Sequence, residues 1–555
     1  VAPDSRGGTR RRRRAAAAAA VVTVLAALGV SGCGARTADE IDYAIDGTLP
    51  TYNANTVVGA ASGAPQAFAR TLTGFSYHGP DGQVVADTDF GTVSVVGRAP
   101  LLLDYEIKPE AVYSDGKPIT CDDLVLAWAA QSGRFPGFDA ASRGGYSDIA
   151  GVECVPGQKK ARVAFVQDRN VVDWGRLFTA TALMPAHVIA DELGVDVVAA
   201  VRDNDLPTLE RIAAAWNTIW DLHPDIDLRK FPSSGPYKLA EVTDEGAVVL
   251  VANDKWWGTP ARTRRITVWP RSAQTGDRLA ERGYDVVDIA EGSAGTLNVP
   301  DDYTATDMPS AGIQQLIFAP AGPLAEIPAR RALAHCTPRD ELARTAGVPI
   351  SNARLNPADD DAFGAAEGAA EGGQFVAANP DAARAALGGR PLTVRIGYAA
   401  PNPRLAAAVG AIAAACAPAG ITVTDAATEQ TGPASLRANE IDVLLAGTGG
   451  AAGGGSTGSS ALDAYALHSG NGDNLADYRN ERVDGIIGAL AVTTDPKEVA
   501  RLIAEGAPIL WGDMPTLPLY RQQRTLVASS KMYAVTNNPT RWGAGWNMDR
   551  WVLHE

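Results

Sequence analysis

Residues 391–447 constrain the fold more than any other stretch of the chain. "PLTVRIGYA" (391–399) alternates apolar and polar residues as a strand does, and "PRLAAAVGAIAAACAPAG" (403–420) reads as an Ala-rich helix. "ITVT" (421–424) and "IDVLLAG" (441–447) follow as two more strands. A strand, a helix and a strand in that order predict a parallel α/β unit, because parallel neighbours need a long crossover. Elsewhere, "EIDYAIDGTL" (40–49), "ARVAFVQ" (161–167), "GAVVLVAN" (246–253) and "RRITVWP" (264–270) read as strands. "PITCDDLVLAWAAQSG" (118–133) reads as a helix that Thr120 caps, with Asp122 and Asp123 at the positive end of its dipole. "PARRALAHCTPRDELAR" (328–344) is a helix, a proline break and a second helix. Pro496 opens one more at its first position. The fold class is therefore mixed α/β. A chain of 555 residues exceeds one core and divides into two or three lobes. Two low-complexity stretches, 359–375 and the Gly/Ala/Ser run 447–460, read as mobile loops.

The N-terminal segment sets the compartment. Arg10–Arg14 form a basic block, followed by the apolar stretch 15–30 and then "SGCG". This is the layout of a secretory signal, and sixteen residues at ~1.5 Å each fall short of the ~30 Å membrane core. "VSGC" (30–33) resembles the lipobox of bacterial lipoproteins, which implies a signal peptide over 1–32 and a lipid on Cys33. Six arginines and one aspartate precede Cys33, so cleavage moves the formal charge from −15 to −20. An acidic body of this kind argues against nucleic acid as a partner and confines membrane contact to the lipid anchor.

"IDVLLAGTGGAAGGGSTG" (441–458) raises two enzymatic readings. Gly447, Gly449 and Ala452 fit a dinucleotide-binding spacing, and Gly454, Ser456 and Gly458 fit a hydrolase nucleophile elbow. The run is too rich in glycine to open a helix, and no acidic residue ends a second strand. Ser456 lies nine residues beyond the strand, and His468 is the nearest histidine. No catalytic residue and no cofactor follow from these motifs.

After Cys33, the cysteines are Cys121, Cys154, Cys336 and Cys416. An exported chain with four cysteines predicts two disulfides, in any of three connectivities. No two of these cysteines are close in sequence, and no two of the six histidines share a helical turn, so no metal site is predicted.

The order of motifs resembles the oligopeptide/dipeptide-binding family of extracytoplasmic solute receptors that serve ABC importers. The resemblance runs through "IKPEAVYSDGKPITCDDLVLAW" (107–128), "ALMPAHVIAD" (182–191) and "SSGPYKLAEVTDEGAVVLVANDKWWGTP" (233–260). It continues in "EIPARRALAHCTPRDELA" (326–343), "ADYRNERVDGIIGAL" (476–490) and "GAPILWGDMPTLPLYRQQ" (506–523).

The resemblance implies a two-lobed periplasmic-binding-protein fold with mixed sheets, a hinge and a ligand cleft between the lobes. Residues 33–39 become a lipidated tether, 40–270 plus 505–555 lobe I, and 271–504 lobe II. Pairing Cys121 with Cys154 and Cys336 with Cys416 then keeps each bridge inside one lobe. The implied activity is binding rather than catalysis, by a monomer that delivers a peptide or peptide-like solute to ABC permease subunits.

Tyr52, Asn53 and Asn55 follow the first strand, where this family lines its pocket. Gly447, Thr448 and Gly449 replace the family's Trp and Asp segment, so the loop reads as a remodelled wall. Asp463, beside Tyr465, and Asp473 are the carboxylates able to replace the missing charge. The C-terminal "RWGAGWNMDRW" (541–551) is expected to pack on lobe I. The alternative readings are an envelope adaptor or sensor that keeps the fold, and, less well supported, a serine hydrolase.

Overall fold

The computed structural model describes residues 39–290, 297–368, 371–453 and 455–554. The signal segment 1–32, Cys33 and the rest of the tether up to residue 38 lie outside the described residues. No helix among the described residues is long and apolar enough to cross a membrane.

Among the described residues, ten strands form one mixed sheet. From one edge it runs Ile421–Asp425, Leu392–Gly397, Val443–Ala446, Tyr303–Phe318 and Thr516–Ser529. It continues with Val286–Ala290, Glu40–Ile45, Arg265–Trp269, Val248–Ala252 and Tyr237–Val242. The α/β unit read from residues 391–447 is present. Leu392–Gly397 pairs in parallel with both Ile421–Asp425 and Val443–Ala446. The helix Pro403–Cys416 makes the first crossover, and Asn402 caps it by accepting from the Leu405 N–H.

The two largest buried clusters among the described residues grow on this sheet, and the fold is two-lobed. One gathers Tyr43, Phe68, Leu103, Leu124 and Trp216, and the other Leu316, Ile396, Ile412, Val443 and Trp511. The two longest strands connect them. Tyr303–Phe318 and Thr516–Ser529 run antiparallel, and Arg524–Ser529 lies beside both Tyr303–Met308 and Val286–Ala290. At their other ends, Gln315–Phe318 lies against Val443–Ala446. Their register slips between Pro309 and Ile313, where the proline cannot donate to the ladder.

The first core also contains the helix Cys121–Gln131, which is buried along nearly its whole surface. A reciprocal capping box fixes its start, with the Asp123 carboxylate accepting from the Thr120 N–H at 3.0 Å. Trp542, Trp546 and Trp551 are buried, so the C-terminal segment packs into the body. Trp551 meets Tyr43 edge-on at 5.0 Å, and Trp542 stacks on His78 at 3.9 Å.

One expectation needs correction. Residues 359–375 are not an open loop, since Asp360–Gly368 is a helix and Gly372–Phe375 a turn. The buried Glu367 carboxylate accepts from the Arg354 and Leu355 N–H groups at 2.5 and 2.6 Å, and Phe375 stacks on Trp511. These partners come from other segments, which low complexity in the helix itself does not reveal.

The structure holds the disulfides Cys121–Cys154 and Cys336–Cys416, with Cα separations of 5.7 and 4.9 Å. Asp122 stands close to the first bridge in a group with metal-like spacing, but both sulfurs are committed to the bond.

Candidate ligand cleft

The strand Glu40–Ile45 ends in Asp46-Gly47-Thr48, and the strand Arg265–Trp269 ends near Arg271. These parallel neighbours bring the two ends together, and the Arg271 N–H donates to the Gly47 carbonyl at 3.1 Å. Asp46 is buried and accepts from the Ala290 N–H at 2.7 Å. Arg271 Nη1 lies 3.9 Å from Asp46 Oδ1, and the two side chains are 3% and 2% exposed. That distance is too long for a hydrogen bond. Among the described residues, the Arg271 guanidinium makes no hydrogen bond at all. Burial weakens its protonated form, while Asp46 and then Glu429 favour it.

Arg271 lines a cavity of about 80 Å³. Thr48, Val58, Ala61 and Ser62 form its wall on the N-terminal side, and Ala399, Leu405 and residues 429–434 face them. Leu444–Ala446, Gly450 and Ala452 complete it from the end of a central strand and the glycine-rich loop. The space equals roughly five to eight water positions.

The glycine-rich loop separates this cavity from an inner one. After the strand Val443–Ala446, a short turn covers Thr448–Gly450, with φ of 66° at Gly449 and 83° at Gly450. Those angles favour glycine, which explains the composition at these two positions. A Cβ at Gly453 would meet Asp46 Oδ2 at 2.6 Å, so a side chain there would push the loop off the cleft floor.

On its other side the loop meets a water-sized cavity of about 20 Å³, lined by Thr448, Gly449, Arg354, Asp473 and Thr516 among others. The Thr448 and Thr516 hydroxyls are buried there with no hydrogen-bond partner among the described residues. Burial and the nearby Asp463 push the Asp473 carboxyl up to about 7. Burial draws the Arg354 guanidinium down to about 10.

The loop then binds segments far away in sequence. The Arg541 N–H donates to the Ser456 carbonyl at 2.9 Å, and Arg176 Nη1 donates to the Thr457 carbonyl at 2.8 Å. The Ser459 hydroxyl donates to Asp173. Ser456 is fully buried and gives its hydroxyl proton to Asp463 Oδ2 at 2.5 Å, while Asp463 Oδ1 accepts from the Thr457 N–H. His468 stacks on Tyr465 and its Nδ1 meets the Ser469 carbonyl, so it is not the partner of Ser456. The turn at 448–450 opens no dinucleotide-type helix.

The sequence-derived residues divide between these places. Gly447, Thr448 and Gly449 stand in the loop, and Thr448 and Gly449 line the inner cavity. Asp463 fastens the loop, with Tyr465 buried two residues farther on. Tyr52, Asn53 and Asn55 do not reach either cavity. The Tyr52 ring packs on Phe68 and Phe231, and its hydroxyl meets Ser233 Oγ at 2.9 Å. Asn53 donates to the Trp216 carbonyl and Asn55 to the Thr181 carbonyl. Their polar groups are consumed inside the first lobe because the chain turns inward there.

Sequence reasoning missed Arg271, Asp46 and Glu429. A charged residue directly after the strand "RRITVWP" was the one available signal for Arg271.

Residues 101–466 match the family model described as bacterial extracellular solute-binding proteins, family 5, middle region. The chain belongs to this family. It is 65% identical to the uncharacterized lipoprotein Rv2585c of Mycobacterium tuberculosis over 535 residues, 96% of each chain. Among solved structures it is similar to the Bacillus subtilis oligopeptide-binding protein AppA in complex with a nonapeptide. That match has a TM-score of 0.71 at 14% identity and covers 93% of this chain and 99% of AppA. It is equally similar to the periplasmic EDTA-binding protein EppA, with a TM-score of 0.72 at 19% identity, covering 93% and 96%. One fold thus carries very different ligands, and the cleft itself has to indicate the ligand.

Proposed function

We propose that this family 5 protein is a lipid-anchored receptor that captures a peptide or peptide-like solute and passes it to an ABC permease. The observation that carries the reading is the cavity at Arg271, whose walls come from residues 48–62 on one side and 399–452 on the other. In this account lobe I comprises 40–270 plus 505–555, and lobe II 271–504. The slip between Pro309 and Ile313 in the crossing strands is the place where the lobes swing. Cys33 carries the lipid, and the relatives named as lipoproteins support that assignment.

A second reading, an adaptor or sensor without transport, draws support from the loop. Its bonds to Arg176, Asp173 and Arg541 already tie distant segments together beside only a small cavity.

Thermal melts of the full chain in detergent, with pools of synthetic di- to pentapeptides, separate the two. A solute at a hundred times its Kd adds about 2.7 kcal/mol and raises Tm. A rise with at least one pool supports the receptor. No rise with any pool favours the adaptor.

A further inference from the structure

Arg271 brings five N–H donors to the cleft wall and gives none of them to a protein acceptor among the described residues. A buried cation normally has hydrogen-bonded partners, because the loss of its water is costly. Asp46 offers charge at 3.9 Å but no hydrogen bond, and the Ala290 N–H already occupies its other oxygen. The Arg271 backbone is pinned to Gly47, and its side chain is nearly inaccessible from outside. The guanidinium thus lies nearly buried at the wall of the cavity and keeps its bonding capacity.

That space matches the size of a charged head group, at about 80 Å³. Its remaining walls are mostly small or apolar, with Glu429 as a second charge, exposed at the rim.

We propose that Arg271 is the specificity-determining residue of the cleft and receives an oxyanion of the solute, a carboxylate or a phosphate. The guanidinium fork presents two parallel N–H groups to such a group, a geometry that lysine does not offer. Glu429 then faces the cationic part of a zwitterionic solute and disfavours a second anion. This inference rests on the solute-receptor reading and narrows the solute to anionic or zwitterionic molecules.

Calorimetry on the full chain in detergent tests it with three probes: trialanine, trialanine amide and inorganic phosphate. If the carboxylate is the recognised group, trialanine binds, and both the amide and the Arg271→Met variant lose roughly 30-fold or more in affinity. The Arg271→Lys variant recovers part of that loss. If phosphate binds the wild type and loses affinity equally in Arg271→Met, the proposal stands with phosphate as the source. Equal binding of trialanine and its amide, or of any probe by wild type and Arg271→Met, overturns the proposal and leaves the receptor reading intact. Silence from all three probes overturns it too, and masses co-purifying with the wild type then decide the receptor reading separately. A melt of Arg271→Met checks folding; because that change leaves buried Asp46 without its counter-charge, the Arg271→Lys variant, which keeps a cation beside Asp46, keeps the test readable if Arg271→Met melts lower.

Discussion

Arg524, on one crossing strand, holds Asp288 on the neighbouring strand through two hydrogen bonds of 2.6 and 3.2 Å. Both side chains are almost fully buried. Asp288 also accepts from Ala544 N–H, Gln66 Nε2 and the Tyr43 hydroxyl, at 2.6, 3.1 and 3.3 Å. One carboxylate therefore ties the crossing strand, the first strand, an early helix and the C-terminal segment together. Removing one partner of such a pair leaves an uncompensated buried charge. We predict that Arg524→Met loses about 3–5 kcal/mol in urea unfolding. A loss under ~1 kcal/mol would show that the cluster is not what holds these segments.

Ser456 is bonded into the loop. Its hydroxyl donates to Asp463, and its oxygen accepts from the Gly458 N–H at 2.9 Å. A fluorophosphonate serine probe is predicted to leave Ser456 unmodified in the folded protein, and peptide mapping reads this directly. Stoichiometric labelling would revive the hydrolase.

The buried carboxyl of Asp473 gives a pH signature. It titrates at about 7 when folded, against ~3.9 in the unfolded chain. Between those values the folded protein keeps a proton that the unfolded chain has released, so this group lowers stability as pH rises from about 4 to about 7. His78 acts in the opposite direction. Burial and Arg176 pull it down to about 3, so its contribution falls as pH drops below ~6.5. A difference measurement isolates the carboxyl. Asp473→Asn should gain about 3–4 kcal/mol relative to wild type between pH 4 and pH 7.5 in paired urea titrations. A difference independent of pH would remove Asp473 from the account.

Gly453 lets the loop lie on the cleft floor. A methyl group there would approach Asp46 Oδ2 to 2.6 Å. Gly453→Ala is predicted to cost about 1–2 kcal/mol in stability. It should also weaken solute retention more than the same change at Gly373, where a Cβ meets open space. Equal effects at the two sites would mean that the loop does not shape the cleft.

Much of the architecture was legible because its signals are local. The alternation in 391–399, the cap at Thr120 and the proline at 496 each act within one turn or strand, and all three appear in the structure. The disulfide pairing could be read once the resemblance had divided the chain into lobes. The cleft was harder. Arg271 acquires its meaning from Asp46, Ala290 and Glu429, each contributed by a different segment. The inward bonding of Tyr52, Asn53 and Asn55 was hidden for the same reason, since their partners at Ser233, Trp216 and Thr181 are remote in sequence. The helix at 360–368 was hidden by its Gly and Ala content, and what fixes it is a tertiary hydrogen bond from Arg354 to Glu367.

Native mass spectrometry of the full chain, purified gently in detergent from its own host, tests the central claim most directly. The account predicts one small solute per protein, released on mild unfolding and carrying a carboxylate or phosphate. A protein that emerges without any bound solute, and stays empty when returned to host extract, would contradict capture as its function.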